Sequence, residues 1–166
     1  SMEENTRVEF VVVHDGPAVF YFNAAAAEVL ARVRRSPSER HVAKVFVEAL
    51  ASPHSPGYVP LVLDIGANAG YFGLLSLALG AEVLFVEPQP MCWRYSESAI
   101  IMNQFQQRAT LVPKALRATQ DLRSAPGQAP ALLAMNDAVC DTRFPISGLE
   151  NGRADASHGV RRTYVP

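Results

Sequence analysis

LVLDIGANAGYFGLLSLALGAEVLFVEPQP, residues 61–90, is the stretch on which the fold turns. An apolar run ends in Asp64. A glycine loop follows, with Gly66, Gly70 and Gly73, and a helix-like segment leads to a second apolar run over residues 82–86 that ends in Glu87. The order is strand, glycine turn, helix, strand, with an acid at the tip of each strand. That layout belongs to α/β domains that hold an adenosine-containing ligand where the strands end. A domain whose turns merely need glycine would leave the two strand-tip acids unexplained.

The spacing separates the ligand classes. A dinucleotide fingerprint asks for glycine, one residue, glycine, two residues, glycine. Counted from Gly66, those places hold Gly66, Asn68 and Tyr71, so two of the three fail. The short-chain dehydrogenase spacing fits Gly66 and Gly70 and then meets Phe72, and no Gly-Lys-Ser/Thr ending marks a P-loop. Charge points the same way. A carboxylate at Asp64 repels a pyrophosphate set against the glycine turn, whereas it attracts the α-ammonium group of S-adenosylmethionine.

Outward from this stretch, residues 8–13 and 18–22 are β-branched and aromatic runs separated by the turn residues 14–17, which predicts a hairpin. Asn23 is placed to cap a helix over residues 24–35. Residues 36–38, Ser-Pro-Ser, break the chain before a second helix over 39–51, with Val42, Val45, Phe46, Ala49 and Leu50 on one face. A loop over 52–60 leads to the first core strand, 61–65. A helix over 71–79, a strand over 83–86, a helix over 90–105 and a strand over 110–112 follow. Residues 118–130 read as a surface loop, 131–135 as a short strand, and 141–159 lack periodicity. The expected fold is a doubly wound, Rossmann-like α/β sheet, incomplete after its third core strand. Residues 1–60 form an N-terminal hairpin and helical cap, and 61–166 the cofactor-binding core.

DIGANAGYFG followed by FVEPQP resembles the FkbM-type methyltransferases, a branch of the class I S-adenosylmethionine-dependent enzymes. The marks are the Gly66–Ala67–Asn68 triplet and the Glu87–Pro88 pair, and the resemblance runs from about residue 61 to 116. The family's later Leu-Asp pair and Lys-Ile-Asp-x-Glu-Gly-like strand are not found. Residues 161–166 are placed where the strand before them belongs. The resemblance implies a cofactor site in which Gly66 and Gly70 let the backbone approach the methionyl part. The first N–H groups of the Tyr71 helix receive the cofactor carboxylate, Asp64 faces the ammonium, and Glu87 accepts both ribose hydroxyls. Adenine lies between Pro88 and residues after the third strand, with Ala115 and Leu116 the candidates. Asn68 either pins the loop through its side chain or simply tolerates a left-handed backbone. Glu87 is expected to be an exposed strand-tip acid of little weight in packing.

No catalytic base emerges: His14, His41, His54 and His158 are scattered, and Lys114 has the default reading of a surface lysine. No cluster has the spacing of a metal site. A chain of 166 residues with 49% hydrophobic residues suits one domain with a real core, and a net charge of −1 carries no nucleic-acid or membrane signal. No apolar run approaches the roughly 20 residues of a membrane span. The start, Ser1-Met2, has the look of a cloning scar. Cys92 and Cys140 read as two free thiols in a reducing, cytoplasmic setting. The leading functional expectation is O-methylation of a small-molecule or glycan-like acceptor. Behind it stand an inactive cofactor-binding module, an RNA or protein methyltransferase, and a nucleotide-binding oxidoreductase. An uncovered sheet edge would favour self-association.

Overall fold

A computed structural model describes residues 8–52, 55–115, 133–136, 140 and 162–165. The chain opens with strands β1 (Phe10–Asp15) and β2 (Ala18–Asn23), followed by a 3-10 turn over Ala24–Ala26 and helices α1 (Ala27–Arg35) and α2 (Pro37–Leu50). Then come β3 (Leu61–Ile65), α3 (Tyr71–Ala78), β4 (Glu82–Val86), α4 (Pro90–Met102) and β5 (Ala109–Val112), and finally β6 (Leu133–Asn136) and β7 (Arg162–Val165).

The central layer is a parallel sheet in the order β3-β4-β5. Each connection carries a helix, as parallel strands require. This is a βαβαβ unit, and it agrees with the expected α/β, Rossmann-like class. β1 and β2 form the expected antiparallel hairpin, from Phe10 opposite Asn23 to Asp15 opposite Ala18. β6 and β7 pair antiparallel as a separate ribbon, so among the described residues they do not extend the central sheet.

The hairpin packs on α3 and α4, which in turn lie on the sheet. Phe20 and Phe22 meet the Tyr71 ring edge-on, and Phe46 of α2 stacks on Phe72. One continuous cluster therefore runs from Val13 and Phe20 through Leu74 and Leu77 to Phe85. α3 is buried nearly all round, which is why YFGLLSLA shows little helical periodicity. On the other face of β3, Leu61, Leu63 and Ile65 are all more than half exposed.

Element boundaries differ from expectation where capping decides. The expected break falls on Ser36, whose backbone is extended, and the second helix starts two residues earlier than expected: Ser36 accepts from the Glu39 N–H, and Pro37 takes the first helical place, where its missing N–H is harmless. Asn23 caps the 3-10 turn by accepting from Ala25, and regular helix begins at Ala27. α4 ends at Met102 rather than 105, because Gln104 takes a left-handed φ of 59°.

Candidate functional site

β3 and β4 run parallel with Asp64 opposite Phe85 and Ile65 opposite Val86, so Asp64 and Glu87 emerge at the same end of the sheet. Between β3 and α3 the chain folds back on the β4 terminus. Gly66 and Ala67 both donate to the Val86 carbonyl, at 2.8 and 3.2 Å. Left-handed φ angles at Gly66 (76°), Asn68 (51°) and Gly70 (82°) shape the loop. The glycines have different jobs. A Cβ on Gly70 would lie 2.6 Å from Ser96 Oγ, and one on Gly73 would enter the Phe85 ring at 2.0 Å. Gly73 therefore serves helix-to-sheet packing inside α3 rather than the loop. A Cβ on Gly66 would meet nothing within 4 Å among the described residues, and this glycine is exposed.

Glu87 is 4% exposed, which corrects the expected exposed acid. Its Oε2 accepts the Asn68 N–H and its Oε1 the Gln89 N–H, both at 2.8 Å. Burial raises its pKa above the usual carboxylate range, while the Gln89 and Asn68 N–H groups pull it back. The acid thus ties the glycine loop to the start of α4. Asn68 combines both readings given to it: its backbone is left-handed, and its Oδ1 accepts the Ala69 N–H at 2.8 Å.

Asp64 is wired differently. Its Oδ2 accepts the Gly73 N–H at 2.8 Å, a bond to the third amide of α3. No donor to Oδ1 is found among the described residues. Burial lifts its pKa to about 6; the Gly73 bond opposes this and the nearby Glu87 charge adds to it. Of the first α3 amides, Gly73 is thus taken, while the Tyr71 and Phe72 N–H groups have no partner among the described residues.

The two cysteines are joined. Cys92, fully buried in the first turn of α4, forms a disulfide with Cys140 across 48 residues of sequence, correcting the free-thiol expectation. Cys140 Sγ lies 3.4 Å from Asn68 Oδ1. A disulfide sulfur has no proton, so this is packing rather than a hydrogen bond. Ser96 Oγ sits between the Asn68 and Cys92 carbonyl oxygens, at 3.3 and 3.2 Å. Sequence reasoning missed this buttress because a long spacing between two cysteines says nothing about their distance in space.

Of the remaining candidates, Pro88 is buried and Ala115 half-buried after β5, while Leu116 lies outside the described residues. The Tyr71 side chain is committed to the hairpin, its hydroxyl donating to Asp15, so only its backbone N–H is left for a ligand. Among the described residues no group of three or more His, Cys, Asp or Glu side chains is placed to hold a metal ion. No described helix is long and apolar enough to cross a membrane.

No protein-family model matches the chain, and no curated protein is significantly similar to it. Among solved structures, it is similar to an S-adenosylmethionine-dependent methyltransferase from Agrobacterium tumefaciens at 13% identity and a TM-score of 0.44, over 68% of this chain and 34% of that one. It is similar to the METTL16 methyltransferase domain at 23% identity and 0.39, over 47% and 32%. It is also similar to TYW2 from Pyrococcus horikoshii in complex with MeSAdo, at 21% identity and 0.41, over 66% and 37%. The chain spans about a third of the length of each of these. With every TM-score below 0.5, the functional reading rests on the residues of the site.

Proposed function

We propose that the chain is the cofactor-binding part of a class I S-adenosylmethionine-dependent methyltransferase. The observation that carries this is the carboxylate of Asp64, one oxygen of which has no donor among the described residues, set between a glycine turn and two helix N–H groups that have no partner among those residues. Anion and cation acceptors side by side suit the zwitterionic methionyl end. At neutral pH Asp64 is ionised and would repel a pyrophosphate in that place. The Tyr71 and Phe72 amides would take the ligand carboxylate, aided by the helix dipole, and Asp64 Oδ1 the ammonium. Glu87 keeps lone pairs beyond its two backbone bonds, so ribose hydroxyls can still reach it. Pro88 and Ala115 border the adenine position. When bound, S-adenosylmethionine supplies a methyl group activated by its sulfonium. The chain's own contribution is to hold that group in position.

The FkbM-type assignment rests on the residue pattern at 66–68 and 87–88 alone. O-methylation of a small-molecule or glycan-like acceptor follows from that resemblance. The disulfide removes the argument for a reducing cytoplasm, since such bonds persist in oxidising compartments. The test is calorimetric titration with S-adenosylhomocysteine and, separately, with NAD. Binding of the first, weakened by Gly66→Val and by Asp64→Asn, is expected. Tight binding of NAD with no response to S-adenosylhomocysteine would overturn the reading.

A further inference from the structure

A cleft of about 210 Å³ opens between the hairpin turn, the end of α1 and the start of α2. Val33 and Ala43 give it an apolar wall, and His14, Asp15, Arg34 and Arg40 a polar rim. Its base is fixed by Tyr71, which is 4% exposed and donates its hydroxyl to Asp15 Oδ2. Burial, together with the Asp15 bond and charge, pushes the phenol well above its usual range. The hydroxyl therefore stays protonated and keeps engaged the one carboxylate that lines the cleft among the described residues.

The cations are not engaged in the same way. The two ion pairs among the described residues join Arg32 to Glu39 and Lys44 to Glu48, and neither Arg34 nor Arg40 has an acidic partner there. Arg40 sits in the first turn of α2, where the helix dipole adds positive potential. Arg34 reaches the cleft from the last turn of α1. The cleft thus sees His14 and Asp15 from the hairpin, Arg34 from α1, Arg40 from α2 and the neutral Tyr71 from α3. Two permanent cations face one carboxylate that a phenol already binds.

We propose that this cleft is a binding site for a small organic anion, gripped through a carboxylate or phosphate by Arg34 and Arg40. Planar guanidinium groups match both oxyanions in paired hydrogen bonds. The volume lies below the roughly 300 Å³ at which small-molecule sites usually begin. The site therefore suits an anionic head group and leaves the rest of a larger ligand outside. Because Tyr71 follows Gly70 directly, an occupant would bear on the helix that starts at the glycine loop. The proposal stands apart from the methyl-donor reading and survives if that reading fails.

The experiment follows the arginine Nε–H signals by NMR while inorganic phosphate or acetate is titrated at constant ionic strength, with chloride as control. Saturable shifts of the Arg34 and Arg40 signals are expected, with dissociation constants on the order of 1 mM or tighter. Arg94 on α4, over the Trp93 ring, should stay still and reports non-specific anion effects. Stronger binding of phosphate points to a phosphorylated ligand, and stronger binding of acetate to a carboxylate. The Arg34→Gln/Arg40→Gln double variant should lose at least tenfold in affinity, read for it by calorimetry, while melting as the wild type does, since both side chains are exposed. Shifts that never saturate, equal shifts at Arg94, or undiminished binding by the double variant would overturn the proposal.

Discussion

The ends of β3 and β4 carry the same sequence signal, an acid after an apolar run, yet they are built for different work. At the β4 end Glu87 is buried, both its oxygens hold backbone N–H groups, and the Cys92–Cys140 bond lies beside the loop it pins. At the β3 end Asp64 spends one oxygen on Gly73 and keeps the other without a donor among the described residues. One end is a clamp and the other a half-open acceptor. A strand-tip acid is therefore not one kind of residue. What distinguishes the two is how many backbone donors the following loop delivers to each.

The clamp should show the largest effect. Removing the disulfide by reduction, or by Cys140→Ser, frees a loop of 48 residues in the unfolded chain, worth about 2–4 kcal/mol by the usual closure argument. Chemical denaturation with and without reductant measures this. Equal midpoints would show that the β4 end owes nothing to the covalent link. Glu87→Gln comes next. One acceptor oxygen becomes an NH₂ group facing a backbone donor, so stability should fall by roughly 1–3 kcal/mol and affinity for S-adenosylhomocysteine with it. A variant that melts unchanged would return Glu87 to the solvated strand tip that the sequence alone suggested.

Asp64→Asn sharpens the contrast. The Asn carbonyl can keep the Gly73 bond, and the substitution removes a charge that burial disfavours. Stability at pH 7 should therefore not fall, and relief of the buried charge should raise it by up to roughly 2–3 kcal/mol. Affinity for S-adenosylhomocysteine should nevertheless fall by roughly 1–3 kcal/mol, the scale of a lost charge-assisted hydrogen bond. A loss of stability as large as that of Glu87→Gln would make the two ends alike and remove the distinction.

The strands, the glycine turn and the crossover helices were legible because their signals are local: apolar runs of strand length, glycines where φ is positive, and Pro90 at a helix start. The hairpin was legible for the same reason. The wiring of the site was not. That Asp64 would take the third amide of α3, and Glu87 the Asn68 and Gln89 amides, depends on where the loop lands after folding. The burial of Glu87 follows from packing by residues far away in sequence. Gly73 looked like part of the glycine loop, and only the 2.0 Å approach to Phe85 reveals its packing role. The Arg34–Arg40 cleft was hidden too, because its walls come from β1, α1, α2 and α3 together.

The prediction that tests the contrast on a single residue is a pH dependence of opposite sign in stability and in binding. The folded-state pKa of Asp64 is about 6, above the roughly 3.9 of an unfolded aspartate. Between those values the native state holds a proton that the unfolded chain has lost. The resulting stabilisation is complete below about pH 4 and is lost as pH rises through about 6. The raised pKa of Glu87 acts in the same direction. Binding of an ammonium group needs the ionised carboxylate, so affinity for S-adenosylhomocysteine should instead rise from pH 5 to pH 7. Thermal melts and calorimetry across this range measure both slopes. In Asp64→Asn the affinity slope should flatten, while the Glu87 part of the stability slope remains. If wild-type affinity and stability move together with pH, then Asp64 is a structural acid like Glu87, and the β3 end is a second clamp rather than an acceptor.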